Sequence, residues 1–122
     1  MLFRSAASVT LAECYEAILK APRRAGASAV VDDAGVLVGI VTQGDFFRLF
    51  KSREQASDLP LEGVMTREPK RVRQDELVMT ALELMRQHSI DEMPVVDDDG
   101  KLVGMIDVQD LIARGFTVFD TR

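Results

Sequence analysis

The sequence predicts a mixed α/β (α+β) fold in which two helix–strand–strand–helix repeats pack with pseudo-twofold symmetry. The first observation is an internal repeat: residues 30–46 overlay residues 95–111 at a constant offset of 65, with nine of the 17 positions identical. The second is a pair of matching amphipathic helix patterns at an offset of 67, formed by Leu11, Cys14, Tyr15 and Ile18 and by Val78, Ala81, Leu82 and Met85. The third is the length of 122 residues, which suits one ordinary domain or two small ones that share a core.

Each repeat begins with the amphipathic helix and continues into two strands. In the first copy, Thr10 and Glu13 have the spacing of a capping box at the start of that helix. The predicted strands lie at about 28–32 and 36–41 in the first copy and at about 93–97 and 101–106 in the second. An Asp-Asp-x-Gly turn joins each pair into a hairpin, and a second helix opens at Thr42 or Asp107.

The repeat divides the chain into a first copy at residues 1–60 and a second at residues 61–122. One hairpin with two helices leaves too much apolar surface exposed to be stable alone. We therefore expect the two copies to fold as one cooperative unit. The cleft between them is the expected ligand site, because small-molecule sites favour the junction between packed units.

Composition and charge exclude several classes of function. Hydrophobic residues make up 47% and charged residues 29% of the chain, which are ordinary values for a packed globular protein. The net charge of −5 and the pI near 4.8 repel polyanions, so we expect no nucleic-acid partner. Since no apolar run approaches the roughly 18 residues that span a bilayer, and the start does not read as a signal peptide, we expect no membrane partner and a cytoplasmic location.

The chain offers little material for catalysis. A single Cys14 cannot form an internal disulfide, and with the single His88 it cannot build a structural zinc site. The sequence contains no Ser, His and Asp set, no glycine-rich phosphate loop and no cluster of metal ligands. It therefore predicts no catalytic residue, no metal and no catalytic cofactor in this chain.

A family resemblance is carried by residues spread over both copies. In the second copy these are Val64-Met65-Thr66, Val72, the helix residues 81–85, and the segments 93–97, 100–106 and 110–111. At these positions the chain resembles a cystathionine-beta-synthase-type domain, or CBS domain, and its two copies resemble a tandem CBS pair. A narrower similarity, carried by residues 39–49, 59–66 and 104–111, is to the C-terminal regulatory region of arabinose 5-phosphate isomerase-type sugar isomerases.

The resemblance implies a regulatory module that catalyses nothing itself. It implies a bound nucleotide or nucleotide-linked metabolite, either an adenine nucleotide or a cytidylyl-activated sugar, whose presence is signalled to a sugar-isomerase domain or another partner. A different class of function stays open beside it. In that alternative the clefts have lost their ligand, and the chain serves to dimerise or assemble an attached or separate protein.

The first-copy element Thr42-Gln-Gly-Asp45 is the main candidate for ligand binding. The resemblance implies that the hydroxyl and carboxylate of such an element contact phosphate and ribose. The chemistry suits these residue types, because a carboxylate accepts hydrogen bonds from vicinal hydroxyls and a helix N-terminus favours an anion. The same spacing is that of a capping box, so Thr42 and Asp45 can also simply cap the helix.

The second copy has Asp107-Val-Gln-Asp110 at the equivalent positions. A carboxylate at position 107 repels a bound phosphate, although it makes a good N-cap. The two copies are therefore not expected to be equivalent, and Asp110 is a weaker candidate for ligand binding than Asp45.

Thr66 and the basic residues after it complete the candidate set. The resemblance places the stretch that follows Val64-Met65-Thr66 near the cleft, and Arg71 is the basic residue chosen from the series Arg67, Lys70, Arg71 and Arg73. A guanidinium suits a phosphate partner. The alternative for each of these side chains is a solvated charged loop.

Apolar residues at equivalent helix positions predict a homodimer. Phe46 and Phe47 of the first copy correspond to Leu111 and Ile112 of the second. The resemblance implies association of two chains through these helices. A stripe of this kind at helical spacing is also typical of plain core.

Overall fold

The computed structural model describes residues 4–20, 26–52 and 58–115. The helices are α1 (Leu11–Lys20), α2 (Gln43–Ser52), α3 (Val78–His88) and α4 (Val108–Ala113). The strands are β1 (Arg4–Ala6), β2 (Ala27–Val31), β3 (Leu37–Thr42), β4 (Thr66–Arg67), β5 (Val72–Arg73), β6 (Glu92–Val96) and β7 (Leu102–Asp107). The four predicted hairpin strands lie within about one residue of their expected positions.

Two sheets carry the two copies. The first has the order β1-β2-β3-β4 and the second the order β5-β6-β7. In each sheet the hairpin is antiparallel, and a short strand from upstream of the helix runs parallel to its first strand. The register is the same in both hairpins, since Ala27 pairs with Thr42 and Glu92 pairs with Asp107. The predicted α/β fold of two helix–strand–strand–helix repeats is therefore confirmed.

The two hairpin turns have the same hydrogen-bond pattern and are bonded to each other. In the first turn the Asp32 carboxylate accepts hydrogen bonds of 2.9 Å from the Ala34 and Val36 amides, and in the second turn the Asp97 carboxylate accepts equivalent bonds. The Leu37 amide donates to the Gly100 carbonyl and the Leu102 amide donates to the Gly35 carbonyl, both at 3.0 Å. Because these bonds are related by the repeat offset, they place the pseudo-twofold axis between the turns.

The buried side chains form three clusters, and the middle one belongs to both copies. Its buried members are Ala29, Val31, Leu37, Val96 and Leu102. The outer clusters lie under α1 and α2 in the first copy and under α3 in the second. Joining apolar surface across the axis is what lets two small units share one core.

The start of the second repeat is bonded to the first sheet. The Leu61 amide donates to the Val9 carbonyl at 2.8 Å, and the Leu61 side chain is fully buried in the first-copy cluster. Farther on, Thr66 of β4 pairs with Ile40 of β3. This crossover brings Thr66 to the edge of the first hairpin, beside the start of α2. The division of the chain at residues 60 and 61 stays a prediction.

Candidate functional site

A cleft of about 580 Å³ lies between the two copies. One wall comes from the first copy, at the end of β3 and the start of α2, and the other from the end of α3 and the start of β6. The lining residues are Gly26, Ile40, Thr42, Gln43, Gly44, Asp45, Thr66, Pro69, Lys70, Ser89, Ile90, Asp91, Glu92 and Pro94. This volume lies within the range of small-molecule sites, so the cleft is large enough for a nucleotide-sized ligand.

Thr42 and Asp45 form a complete capping box on the cleft side of α2. The Thr42 amide donates to Asp45 Oδ2 at 2.9 Å, and the Asp45 amide donates to Thr42 Oγ1 at 3.3 Å. The other carboxylate oxygen, Oδ1, accepts a hydrogen bond of 2.8 Å from Arg48 Nη2. Asp45 is buried, whereas the Arg48 side chain is 67% exposed. The predicted cap is present, and both of its side chains also line the cleft.

The candidates Thr66 and Arg71, from the start of the second copy, lie in two different places. Thr66 lines the cleft, and so does Lys70 from the basic segment that follows it. Arg71 does not line the cleft. Its Nε donates to the Pro69 carbonyl at 3.1 Å, and its Nη2 lies 3.3 Å from the Glu68 carboxylate. Within that basic segment, Lys70 is therefore the cation that the structure brings to the cleft.

The second copy has a different arrangement at the equivalent helix start. The Asp107 carboxylate caps α4 by accepting a 2.7 Å hydrogen bond from the Gln109 amide, as its position predicts. Asp110 lies exposed in the first turn of α4 and is not part of the cleft lining. The cleft thus brings together Thr42, Asp45 and Thr66 but not Asp110.

Glu92, at the start of β6, is a cleft residue with a markedly raised pKa. Burial, the neighbouring charge of Asp107 across the hairpin and the adjacent Asp91 raise the pKa of Glu92 to about 6. The Gly26 amide donates to its carboxylate and partly offsets this shift. The Gly26 carbonyl in turn accepts a 2.8 Å hydrogen bond from the Gln43 amide. The backbone of Gly26 therefore links Glu92 of the second copy to the first residue of α2.

Sequence reasoning missed Gly26, Asp91 and Glu92 as cleft residues. The repeat itself contains the signal, because Asp91 lies 65 residues after Gly26 and both come just before a hairpin. Where the first copy has Gly26 and Ala27, the second has the acidic residues Asp91 and Glu92. A comparison of unlike residues at equivalent positions, as well as of identical ones, would have pointed to this wall of the cleft.

The family model of the CBS domain matches the chain twice, at residues 6–52 and 57–115. The chain belongs to the CBS domain family. The two matches correspond to the two halves of the pseudo-symmetric fold, so the resemblance to a tandem CBS pair is confirmed.

Curated relatives include larger enzymes that contain a similar region. The arabinose 5-phosphate isomerase of Francisella tularensis is 33% identical over 97 residues, which are 80% of this chain and 30% of that enzyme. The corresponding isomerase of Pseudomonas aeruginosa is 34% identical over 90 residues, which are 74% of this chain and 28% of that enzyme. The CBS pair therefore spans less than a third of the length of these isomerases.

Solved structures of CBS proteins share the fold and include ligand complexes. A CBS domain protein from Pyrobaculum aerophilum, solved with AMP, has a TM-score of 0.81 at 25% identity, covering 90% of this chain and 82% of that one. A CBS domain pair solved with 5′-methylthioadenosine and S-adenosyl-L-methionine has a TM-score of 0.78 at 27% identity, covering 93% and 89%. Adenine-containing ligands thus bind CBS pairs similar to this one.

In the described part of the chain, no group of three or more His, Cys, Asp or Glu side chains is placed to hold a metal ion. Among the same residues, no helix has the length and apolar character needed to cross a membrane.

Proposed function

We propose that this CBS pair is a regulatory module that binds a nucleotide-type ligand in the cleft between its two copies. The observation that carries the proposal is the cleft of about 580 Å³ with the capped N-terminus of α2 in its wall. The AMP complex of the Pyrobaculum aerophilum protein supports an adenine nucleotide as ligand. The chain catalyses nothing itself under this proposal and requires no catalytic cofactor.

The proposed contacts follow from the capping box. The ribose hydroxyls take the place of Arg48 on Asp45, because the Arg48 side chain is largely exposed to solvent and the Asp45 carboxylate has several acceptor positions. The phosphate lies beside the Thr42 hydroxyl and the start of α2, with Thr66 and Lys70 facing the same space. Arg71 and Asp110 remain weaker candidates, since each lies outside the described lining.

The proposed partner is a sugar-phosphate isomerase domain. Its support is the identity of 33–34% to regions of two arabinose 5-phosphate isomerases. For such a partner, a cytidylyl-activated sugar is a second proposed ligand, because a product further along a pathway is a suitable feedback signal. The expected cytoplasmic location accompanies this role as a prediction.

An assembly role is the second candidate, and one observation favours it. Phe47 of α2 is 75% exposed and Ile112 of α4 is 50% exposed, and the two are related by the repeat offset. Large apolar side chains on equivalent helices suit a homodimer interface. Phe46, by contrast, is buried and packs against Tyr15 with ring centroids 5.5 Å apart, so this part of the predicted stripe belongs to the core.

A thermal-shift panel separates the two candidates. Adenine and cytidine nucleotides, including the cytidylyl sugar, are added to the protein, because a ligand that binds only the folded state raises its stability by RT ln(1 + [L]/Kd). The ligand-binding proposal expects at least one compound to raise Tm in a concentration-dependent manner. A panel with no shift at millimolar concentration contradicts it and favours assembly.

A further inference from the structure

The described lining of the cleft contains more acidic than basic side chains. Three of its residues are acidic, Asp45, Asp91 and Glu92, and one, Lys70, is basic. Asp45 is paired with Arg48 in the structure and serves the ribose hydroxyls in the proposed complex. Asp91 and Glu92 lie together at the start of β6, on the wall that the second copy contributes.

Glu92 is held in place by the backbone of the first copy. The Gly26 amide donates to its carboxylate, and a Cβ at position 26 would collide with Glu92 Oε1. Only glycine permits this close approach. The charged groups that face Glu92 are Asp91 beside it and Asp107 across the hairpin, while Asp45 and Lys70 share its cleft.

We propose that Glu92 sets the charge of the ligand, so that the cleft accepts nucleosides with no more than one phosphate group and disfavours nucleoside di- and triphosphates. The inference rests on the proposed function and deepens it. One phosphate is accommodated by the N-terminus of α2 together with Lys70. Each further phosphate adds negative charge to a space that already holds the carboxylates of Asp91 and Glu92.

The expected size of the effect follows from Coulomb's law. Two unit charges several ångströms apart near a protein surface interact strongly enough to change a binding constant by roughly 10-fold. ATP should therefore bind at least about 10-fold more weakly than AMP. A neutral ligand such as 5′-methylthioadenosine should be insensitive to the charge of Glu92.

Titration calorimetry of the whole chain with AMP, ATP and 5′-methylthioadenosine tests the proposal. Glu92→Gln removes the charge and keeps an oxygen that accepts from the Gly26 amide. At pH 7.5 this variant should reduce the preference for AMP over ATP by about 5- to 10-fold and leave 5′-methylthioadenosine unchanged. Asp33→Asn, an equal change of charge in the exposed hairpin turn, is the control and should leave the preference unchanged.

Measurements at pH 5.5 provide an independent readout. Lowering the pH should reduce the preference for AMP over ATP more in the wild type than in Glu92→Gln, because only the wild type has the Glu92 carboxylate to protonate. Protonation of the ligand affects both proteins equally. Equal affinities for AMP and ATP, or a preference that Glu92→Gln does not change, would overturn the role of Glu92 while leaving the ligand-binding function intact. Failure of all three ligands to bind would overturn the proposed function and this inference together.

Discussion

The backbone amide of Leu37 donates a 3.0 Å hydrogen bond to the carbonyl of Gly100, across the pseudo-twofold axis. The bond from Leu102 to Gly35 repeats it with the copies exchanged. Both leucine side chains are buried in the cluster that the two copies share. The hairpin turns of the two sheets are thus joined by backbone bonds above a common apolar core.

This junction predicts that the two copies unfold together. Leu102→Ala removes a buried side chain from the shared cluster and should cost about 2–5 kcal/mol. The loss should appear in one cooperative transition when urea unfolding is followed by circular dichroism. Val103→Ala, on the exposed side of β7, is the control and should change stability by less than about 0.5 kcal/mol.

Two resolved transitions in the wild-type protein would contradict a shared core. So would a Leu102→Ala variant that loses stability in the second copy while the first keeps its midpoint. Either result would mean that the contacts of Leu37 and Leu102 join two units that are each stable alone.

The difference between the helix starts predicts unequal effects of two matched substitutions. Asp45→Ala should weaken binding of a ribose-bearing nucleotide by roughly 10- to 100-fold, because a lost hydrogen bond to a charged group costs about 1.5–3 kcal/mol. Asp110→Ala should have a visibly smaller effect, since Asp110 lies outside the described cleft lining. Titration calorimetry measures both.

The capping box of α1 provides the control for helix stability. Glu13 accepts from the Thr10 amide at 3.1 Å, as Asp45 does from Thr42, but it does not line the cleft. Glu13→Ala should lower Tm and leave affinity unchanged. If Asp45→Ala also lowers Tm and leaves affinity unchanged, its carboxylate is a helix cap alone. Equal losses of affinity for Asp45→Ala and Asp110→Ala would show that the two copies contribute equally to ligand binding.

The exposure of Phe47 predicts a homodimer that a single charge disrupts. Phe47→Asp should give a folded monomer, because this side chain is not used by the core of its own chain. Phe46→Asp should instead unfold the protein, since it introduces a charge into a buried position. Light scattering at micromolar concentration measures the mass, and a wild-type mass near 13.5 kDa would rule out the dimer.

The raised pKa of Glu92 predicts how stability depends on pH. Its folded-state pKa of about 6 lies above the ordinary value of 4.5, so the folded protein binds the proton more tightly than the unfolded chain. The Glu92 contribution is therefore fully present below about pH 4.5 and is lost as the pH rises through 6. The effect of Glu92→Gln on the free energy of unfolding should therefore be more favourable at pH 7.5 than at pH 4.5. After allowance for solvent screening, the expected difference between the two pH values is about 1 kcal/mol.

Urea unfolding of both proteins across this pH range checks the sign. Asp33→Asn again serves as the control for a general change of net charge. An effect of Glu92→Gln on the free energy of unfolding that is the same at pH 4.5 and pH 7.5, or that is less favourable at pH 7.5, would contradict the raised pKa of Glu92.

The repeat allowed the hairpins to be predicted closely, and the reason is local. The turns are built by Asp32 and Asp97, whose side chains bond amides two and four residues ahead, so their geometry is contained within five residues. The strands β1 and β4 were not predicted. They have two or three residues each and exist only because a distant strand pairs with them, as Thr66 does with Ile40.

The part of the candidate site around the first sheet was predicted. Thr42 and Asp45 form a local motif, and Thr66 lies in a recognisable segment. Glu92 was missed because its place in the cleft depends on contact between the copies, through Gly26, and because its altered pKa arises from burial and from neighbours across a hairpin. Arg71 and Lys70 are adjacent in sequence, and only the path of the backbone decides which of them reaches the cleft.

Backbone amide chemical shifts recorded during a titration with AMP test most directly whether the cleft between the copies is the ligand site. Gly26, just before β2, and Gly44, in α2, both line this cleft and give amide signals in a distinct region of the spectrum. We expect both to shift and to saturate together, with much smaller changes at Gln109 and Asp110 of the second-copy helix. Saturating shifts centred on residues 107–110, or no shifts at millimolar AMP, would contradict this assignment of the site.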